Sequence, residues 1–481
     1  MNFRMIIYLL GVILLLVSAL LVLPMLAAVV FRESVLPFAL TVTIGLAVAL
    51  PAVIFKPKDT RIYSKEGFIT VASAWIILSL FGALPFVFSG AIPNYIDAFF
   101  ETVSGFTTTG ATILNDIEGV SRSMHLWRTL THWIGGMGVL VFMLAVLPSG
   151  GGGQAIYLMR AEVPGTDKGK LVPKIRQSAL ILYGIYVVLT LIEIAALLIS
   201  GLSFYDSVVV TLSTAGTGGF SVLSNSIHGY GNAAAEWIIA VFMLLFGVNF
   251  NMYFFILLGD LKKVLKSEEL RTYIIIVFVA VASIVLNNHS LYASIGDCIR
   301  DSFFQVSSII STTGFVTADY MTWGSFSQAV LVALTIIGAC AGSTAGGLKV
   351  SRFIIAVKSA LREVRHTRRP NSVNTVRLDN EVVKEETVRA VGSYVCIYVM
   401  VLAISTLLIS VFDNLSFETN FSVALTTLNN VGPAFGSVGA FGNISSYSYF
   451  SKIILSFNML FGRLEMLPML ILISPRTWKR G

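Results

Sequence analysis

Four stretches of this chain could together bind a cation. Each begins with an acidic residue and ends in a short strip rich in threonine, serine, asparagine and glycine. Glycine permits backbone angles that let carbonyl oxygens line a narrow passage. Four such strips around one axis would form a ring of oxygens able to replace the hydration shell of a cation. The stretches run from Asp97 to Gly110, from Asp206 to Gly219, from Asp301 to Gly314 and from Glu418 to Gly432.

The spacing within the stretches is nearly constant. The acidic residue precedes the glycine by 13 residues in the first three stretches and by 14 in the fourth. We expect Asp97, Asp206 and Asp301 to stand at the N-terminus of a short helix, where a carboxylate is favourable. That helix, about ten residues long, cannot span a bilayer, so each stretch is predicted to be re-entrant. The predicted ion ligands are Thr108, Thr109, Gly110, Thr217, Gly218, Gly219, Thr312, Thr313, Gly314, Asn430, Val431 and Gly432.

Composition places these stretches in a membrane protein. Of the 481 residues, 56% are hydrophobic and only 12% are charged, and the mean hydropathy is +0.82. A soluble fold of this size could not cover so much apolar surface with so few charges. This excludes a soluble enzyme, a disordered scaffold and a secreted disulfide module. Structural zinc is not expected, because the three cysteines are far apart and no HExxH motif occurs.

Ten apolar stretches are long enough to be candidate spans. Basic residues cluster on alternate connections, which predicts that these connections and both termini are cytoplasmic. The formal net charge of +7 is then a topology signal, and we expect no nucleic-acid partner. We interpret the basic segment 349–389 as a solvated inside loop, with a contact to a cytoplasmic partner as a secondary possibility. The ten stretches are 5–31, 36–55, 67–90, 128–148, 177–200, 234–258, 271–287, 326–358, 388–412 and 449–474.

The placement of the stretches predicts the architecture. Each re-entrant segment has one hydrophobic helix on either side, so the expected fold is an all-α polytopic membrane protein. It has four helix–pore loop–helix repeats around one pore, plus an N-terminal helix pair. The predicted divisions are the helix pair 1–66, repeat 1 at 67–149, repeat 2 at 150–259, repeat 3 at 260–360 with a broken inner helix, a basic cytoplasmic loop at 361–386, and repeat 4 at 387–481.

These features resemble a known family. The segments SGFTTTGAT, STAGTGGFS, SIISTTGF and LNNVG resemble the Trk/Ktr/HKT superfamily of potassium transporters, and the helix pair at 1–55 resembles its TrkH branch. The resemblance implies K⁺ as the transported ion, no organic cofactor on this chain, homodimers, and docking on a cytoplasmic TrkA-like ring of nucleotide-binding subunits. It also makes the four glycines filter residues. Thr217-Gly218 and Asn430-Val431 depart from the TTxG pattern, so we expect only moderate discrimination between K⁺ and other cations such as Na⁺.

The stretch 326–358 is too long for one simple span. Its small residues are compatible with close helix packing or with a broken helix beneath the strips, and the residues alone leave both open. The resemblance implies an intramembrane gating loop here, and a pore role as an electrostatic barrier for Arg463. From the residues, a buried ion pair of Arg463 with Glu193 is the alternative. The loop residues are Gly342, Ser343, Thr344, Ala345, Gly346 and Gly347.

The leading functional hypothesis is a multi-pass potassium uptake protein of the bacterial inner membrane. Its nearest rival is a K⁺/H⁺ or K⁺/Na⁺ symporter on the same scaffold. A membrane enzyme would need clustered His, Asp or Glu, and an inverted-repeat transporter would need oppositely oriented halves. The chain shows neither pattern. Gly165–Leu171 lacks the spacing of a phosphate-binding loop, and Gly150–Gly153 lacks the context of a dinucleotide site.

Overall fold

The computed structural model describes residues 1–55, 57–59, 62–138, 175–369 and 374–478. Within these ranges the chain is mostly helical, and its one sheet is a hairpin of Arg377–Leu378 and Glu381–Val382. The glycine run at 150–153 and the segment 165–171 lie outside the described residues. The prediction of an all-α protein is therefore confirmed.

Six helices in the described ranges are long and apolar enough to cross a membrane, or seven if one sharply bent pair counts as a single span. Many of their side chains remain exposed in the isolated chain, as expected for surfaces that face lipid. The prediction of a polytopic membrane protein is confirmed. The six are Phe3–Val30, Leu36–Ile54, Lys65–Phe88, Ala179–Ile199, Glu268–Leu291 and Glu385–Phe412.

Three of the other predicted stretches are broken, and the fourth continues beyond the described residues. A single span was predicted at 234–258, but the chain bends by 89° between Ala233–Phe246 and Phe250–Leu257, where the Asn249 side chain caps the second helix. The span predicted at 449–474 is also wrong as a continuous helix, because Glu465 and Met466 adopt positive φ between Tyr449–Arg463 and Leu467–Ile473.

One order of elements occurs four times: a leading helix, a short helix, an extended strip and a trailing helix. We call these sets units 1 to 4, and their strips are residues 107–110, 216–219, 311–314 and 429–432. The leading helices are Ser64–Gly82 with Leu84–Phe88, Ile175–Ile199, Glu268–Asn288 and Glu385–Phe412. The short helices are Tyr95–Phe106, Phe204–Gly216, Ile295–Ile310 and Phe417–Leu428. The trailing helices are Arg122–Gly136, Ala233–Phe246, Ser325–Ile337 and Tyr449–Arg463.

Other elements surround the four units. The N-terminal region contains Phe3–Leu20, Val22–Val30 and Leu36–Ile54, and Val350–Arg368 follows unit 3. The remaining short pieces are Leu261–Lys266, Pro475–Trp478 and the 3₁₀ turns Ser226–Tyr230, His289–Leu291 and Tyr320–Thr322.

Polar side chains begin each short helix. Asn94, Ser203, Ser294 and Ser416 are the N-caps, and each accepts a hydrogen bond from a backbone N–H of the first turn. Asp97 and Asp206 lie in that turn, near their predicted positions. The prediction for Asp301 is wrong. The third short helix begins earlier, at Ile295, so Asp297 occupies the first turn and Asp301 lies in the second.

Neighbouring units are joined by polar contacts at all four seams, which closes them into a ring. They are Tyr205 Oη to the Arg122 carbonyl at 2.8 Å, Arg300 Nε to Glu236 Oε2 at 2.8 Å, Tyr320 Oη to the Ala434 carbonyl at 2.9 Å, and Lys452 Nζ to Asp97 Oδ1 at 2.8 Å. These contacts join units 1 and 2, 2 and 3, 3 and 4, and 4 and 1.

Glu33 attaches the N-terminal region to unit 1. Its carboxylate accepts hydrogen bonds from the backbone N–H groups of Arg122 and Ser123, at 2.8 and 2.9 Å, at the start of the first trailing helix. A carboxylate there satisfies free donors and favours the positive end of the helix dipole.

We expect Glu33→Ala to destabilise the protein by about 1 kcal/mol, because two helix-terminal N–H groups lose their acceptor. Thermal unfolding of the detergent-solubilised chain measures the effect. Glu381→Ala, which removes an exposed carboxylate on the hairpin, is the control. Equal unfolding midpoints for the two variants would contradict the capping role.

Candidate ion-conducting site

Every short helix ends in the same backbone motif. The residue two positions before the strip glycine is left-handed, and its N–H bonds to the carbonyl three residues earlier. The next N–H bonds to the carbonyl five residues earlier, at 2.8–2.9 Å in all four units, which completes a Schellman motif. The left-handed residues are Thr108, Thr217, Thr312 and Asn430, with φ of 56°, 57°, 57° and 56°.

Three of these left-handed residues are threonines, although glycine is the usual residue at this position. A β-branched side chain is unfavourable in the left-handed region, so the surrounding structure must hold the backbone there. All four side chains are completely buried in protein. Strained backbone of this kind clusters at functional sites.

The strip glycines give the backbone a second left-handed residue. Gly110, Gly219, Gly314 and Gly432 have φ of 80°, 79°, 82° and 94°, whereas the residue before each lies outside the positive-φ region. In an ordinary strand successive peptide groups face opposite ways. Alternation of left-handed and ordinary residues instead turns successive carbonyl oxygens toward one side, the arrangement that an ion filter needs.

The four strips approach one another in a closed cycle. A Cβ atom placed on Gly110 would clash with the carbonyl oxygen of Gly218, and one on Gly219 with that of Thr313. In the same way Gly314 lies against the Val431 carbonyl, and Gly432 lies against that of Thr109. The twelve residues predicted as ion ligands are therefore brought together around one axis. Each of the four glycines also lines a cavity on one side of the strips.

The fourth strip is fastened differently from the others. In strips 1 and 3 a hydroxyl pair stiffens the strand, Thr107 with Thr109 at 2.8 Å and Ser311 with Thr313 at 2.7 Å. The Asn430 amide instead donates to Thr109 Oγ1 and to the Met459 carbonyl, both at 2.9 Å. The sequence departure at Asn430 therefore cross-links strips 4 and 1.

The segment 338–349 lies on the other side of the strips. The third trailing helix ends at Ile337 and helix Val350–Arg368 follows, so the broken-helix interpretation is the one the structure adopts. The Gly346 N–H donates to Thr312 Oγ1 at 2.7 Å. A Cβ atom on Gly346 would clash with the Asn429 carbonyl oxygen. The predicted loop residues thus touch strips 3 and 4 directly.

Arg463 ends the fourth trailing helix and binds this loop. Its Nη1 donates to the Thr344 carbonyl at 2.6 Å, and its Nη2 donates to the carbonyls of Gly135 and Gly136 at 2.6 and 2.7 Å. Those glycines end the first trailing helix, whose negative dipole end favours a cation. Arg463 and loop residues line a common cavity beneath the strips.

Sequence reasoning missed three groups that hold the loop. Glu269 accepts from the backbone N–H groups of Ala341 and Ser351, at 2.7 and 3.1 Å, and so ties together the two ends of the segment. Buried Lys349 donates to the Ala345 carbonyl, and Arg352 pairs with Glu465. The available signal in the sequence was that these residues are charged and lie next to apolar spans, where charged side chains are rare.

We expect Glu269→Gln to accelerate backbone hydrogen exchange in 338–351 by about tenfold or more, because two buried N–H groups exchange a charged acceptor for a neutral one. Hydrogen-exchange mass spectrometry of the full chain measures this. Glu386→Gln is the matched control, since Glu386 is an exposed carboxylate in the first turn of another leading helix. Unchanged exchange in Glu269→Gln would contradict the role of Glu269 in holding this segment.

The described part of the chain contains no group of three or more His, Cys, Asp or Glu side chains that could hold a metal ion. A cation at the strips would instead meet backbone carbonyl and threonine oxygens.

Comparisons with known proteins identify the family of this chain. The sequence profile of the TrkH family, described as "Cation transport protein", matches residues 38–480. The chain is 37% identical to the Trk system potassium uptake protein TrkH of Escherichia coli (strain K12), with 100% of both chains covered. It is 30% identical to TrkG of the same strain, covering 95% of this chain and 94% of TrkG.

A solved structure has the same fold. The crystal structure of the potassium transporter TrkH from Vibrio parahaemolyticus matches with a TM-score of 0.90 and 30% identity, covering 100% of both chains. The chain therefore belongs to the TrkH family of cation transport proteins, and it is a transporter rather than an enzyme.

Proposed function

We propose that this chain is a potassium uptake protein of the bacterial inner membrane that conducts K⁺ in a channel-like way. The observation that carries the proposal is the closed cycle of four glycine strips with alternating backbone handedness. Such strips can offer dehydrated K⁺ a shell of carbonyl oxygens. The potassium uptake proteins among its relatives support K⁺ as the ion.

The loop 338–349 and Arg463 are the proposed gate. The support is steric and electrostatic, since the loop lies against strips 3 and 4 and the guanidinium lines the cavity beneath them. A fixed positive charge in a low-dielectric passage opposes the passage of a cation. We further propose cytoplasmic termini, a homodimer, and control by a nucleotide-binding TrkA-like ring on the cytoplasmic face. The family membership and the basic helix Val350–Arg368 support this assembly.

Coupled symport with H⁺ or Na⁺ is the second candidate. Glu193 favours it, because this carboxyl group is completely buried in the second leading helix, where ionisable groups are rare and usually functional. K⁺ accumulation in liposomes that responds to an imposed proton or Na⁺ gradient, and loses that response in Glu193→Gln, would favour symport over the channel.

Gly314→Ser tests the filter. We expect the preference for K⁺ over Na⁺ to fall by about tenfold or more, a difference of ~1.4 kcal/mol, because the new side chain must displace the Val431 carbonyl. The measurement is K⁺ and Na⁺ flux in liposomes containing the purified chain. Gly392→Ser, where an added Cβ meets open space, is the control. A Gly314→Ser variant with the wild-type preference would show that the strips do not select the ion.

Arg463→Gln tests the gate. We expect K⁺ flux in the same liposomes to rise about tenfold, because the substitution removes a positive charge and the charged donor to the Thr344 carbonyl of the loop. Arg365→Gln, on the exposed face of the helix that follows the loop, is the control and should leave the flux unchanged. Flux in Arg463→Gln at or below the wild-type rate would rule out Arg463 as a barrier.

A further inference from the structure

A buried ion pair lies behind the first two strips. Glu101 on the first short helix and Arg128 on the first trailing helix meet with 2.6 Å between Oε1 and Nε, and their side chains are 0% and 1% exposed. Burying two charges costs desolvation energy that their mutual attraction often fails to recover. The remaining contacts of the pair therefore indicate what it positions.

Glu101 holds the chain that leaves strip 1. Its carboxylate accepts from Thr112 Oγ1 at 2.9 and 3.0 Å and from the backbone N–H of Ile113 at 3.0 Å. These residues follow Gly110 by two and three positions. The carboxylate thus fixes the course of the backbone just beyond the filter glycine.

Arg128 holds the chain that leaves strip 2. Its Nη1 donates to the Ser221 carbonyl at 3.0 Å, and its guanidinium lies over the Phe220 ring, 3.7 Å from the centroid. These two residues directly follow Gly219. The ion pair therefore spans two units and links the residues that follow strip 1 to those that follow strip 2.

In units 3 and 4 an uncharged side chain of the short helix holds the chain that follows the strip of the same unit. The residue nine positions before the strip glycine is Glu101, Val210, Gln305 and Val423 in units 1 to 4. The Gln305 amide oxygen can accept from Thr317 N and Ala318 N, at 2.9 and 3.2 Å. In unit 4 Ser422 Oγ exchanges hydrogen bonds with the Phe435 backbone, at 3.0 and 3.1 Å.

Unit 2 lacks a polar side chain at this position, since Val210 occupies it. Its strip also contains two consecutive glycines, Gly218 and Gly219, which are the most flexible residues for holding carbonyls in place. Arg128, which belongs to the neighbouring unit 1, instead holds the chain that follows strip 2. Strip 2 also packs against the His132 ring, and Arg128 adds the polar contact to the following chain that Val210 cannot make.

We propose that Glu101 and Arg128 are positioning residues that set the ion preference of the filter by fixing strips 1 and 2 relative to each other. This rests on the proposed filter function. Arg128 lines the same cavity as the four strip glycines, and its polar contacts are to the Glu101 carboxylate and to the Ser221 carbonyl just after strip 2. The pair acts by holding the backbone that carries the filter carbonyls. The planar, forked guanidinium of Arg128 is essential, because it bonds to the Glu101 carboxylate and to the Ser221 carbonyl while it stacks on the Phe220 ring.

The test compares Arg128→Lys and Glu101→Gln with wild type in liposomes containing the full chain. Arg128→Lys keeps the charge that Glu101 needs but lacks the fork, so it should fold and yet lose the link to Ser221. Glu101→Gln places in unit 1 the side chain that unit 3 already has. For both we expect the K⁺-to-Na⁺ flux ratio to fall about tenfold. Thermal unfolding in KCl and in NaCl should show less K⁺-specific stabilisation.

Glu236→Gln is the matched control. Glu236 is also buried and pairs with an arginine across a seam. Within the described residues its Arg300 partner makes ion pairs with Glu236, Asp297 and Asp301, none of which follows a strip glycine. We expect it to keep the wild-type flux ratio. If Glu101→Gln does not fold, Arg128→Lys alone decides.

Two outcomes overturn the proposal in distinguishable ways. Wild-type flux ratios in folded Arg128→Lys, together with a lowered ratio in Gly314→Ser, would leave the filter intact and refute the positioning role. A wild-type chain without K⁺ preference would refute the filter and the positioning role together. A lowered ratio that Glu236→Gln reproduces would show a general loss of structure and would also refute the specific role.

Discussion

The four strips come so close together that no Cβ atom fits at their final glycines, and this close approach constrains the rest of the molecule. Carbonyl oxygens that turn toward the axis cannot pair with one another, and buried unpaired oxygens are costly. The backbone must therefore be held from behind by buried threonine and asparagine side chains and by the Schellman bonds. The trailing helices press on the same place, since Cβ atoms on Gly135 and Gly462 would clash with the Phe106 and Leu428 carbonyls at the ends of short helices.

A related constraint applies to the loop 338–349, which lies against strips 3 and 4. The loop 338–349 leaves helical structure in a largely buried part of the chain, so its polar groups must be satisfied by protein. Backbone bonds to Phe246, Gly247 and Phe250, together with the Glu269 carboxylate and Arg463, meet much of that requirement. The proposed gate is therefore an ordered segment, and its release requires these specific polar contacts to break.

Much of the site was predictable because its signal is local. The strips were found from glycine and threonine at a fixed distance from an acidic residue, and this distance reflects the length of the short helix in units 1, 2 and 4. The same logic failed at Asp301, because Ser294 starts the third short helix earlier. The local signal was the pair Ser294 and Asp297, which has the spacing of a helix N-terminus. The breaks at Asn249 and Glu465 were missed because a bent apolar helix has the same composition as a straight one. Glu101 and Arg128 stand 27 residues apart on different helices, and only the folded chain brings them together.

The seams between units are chemically different, with a tyrosine hydroxyl at two, an arginine–glutamate pair at one and a lysine–aspartate pair at another. In a channel of four identical subunits, a substitution at a seam appears four times and its energetic effect is multiplied accordingly. Here each seam is encoded once, so a substitution changes one side of the ring and leaves the other three seams intact. Single substitutions can therefore make the four sides of the ring different from one another, which is impossible in a homotetramer.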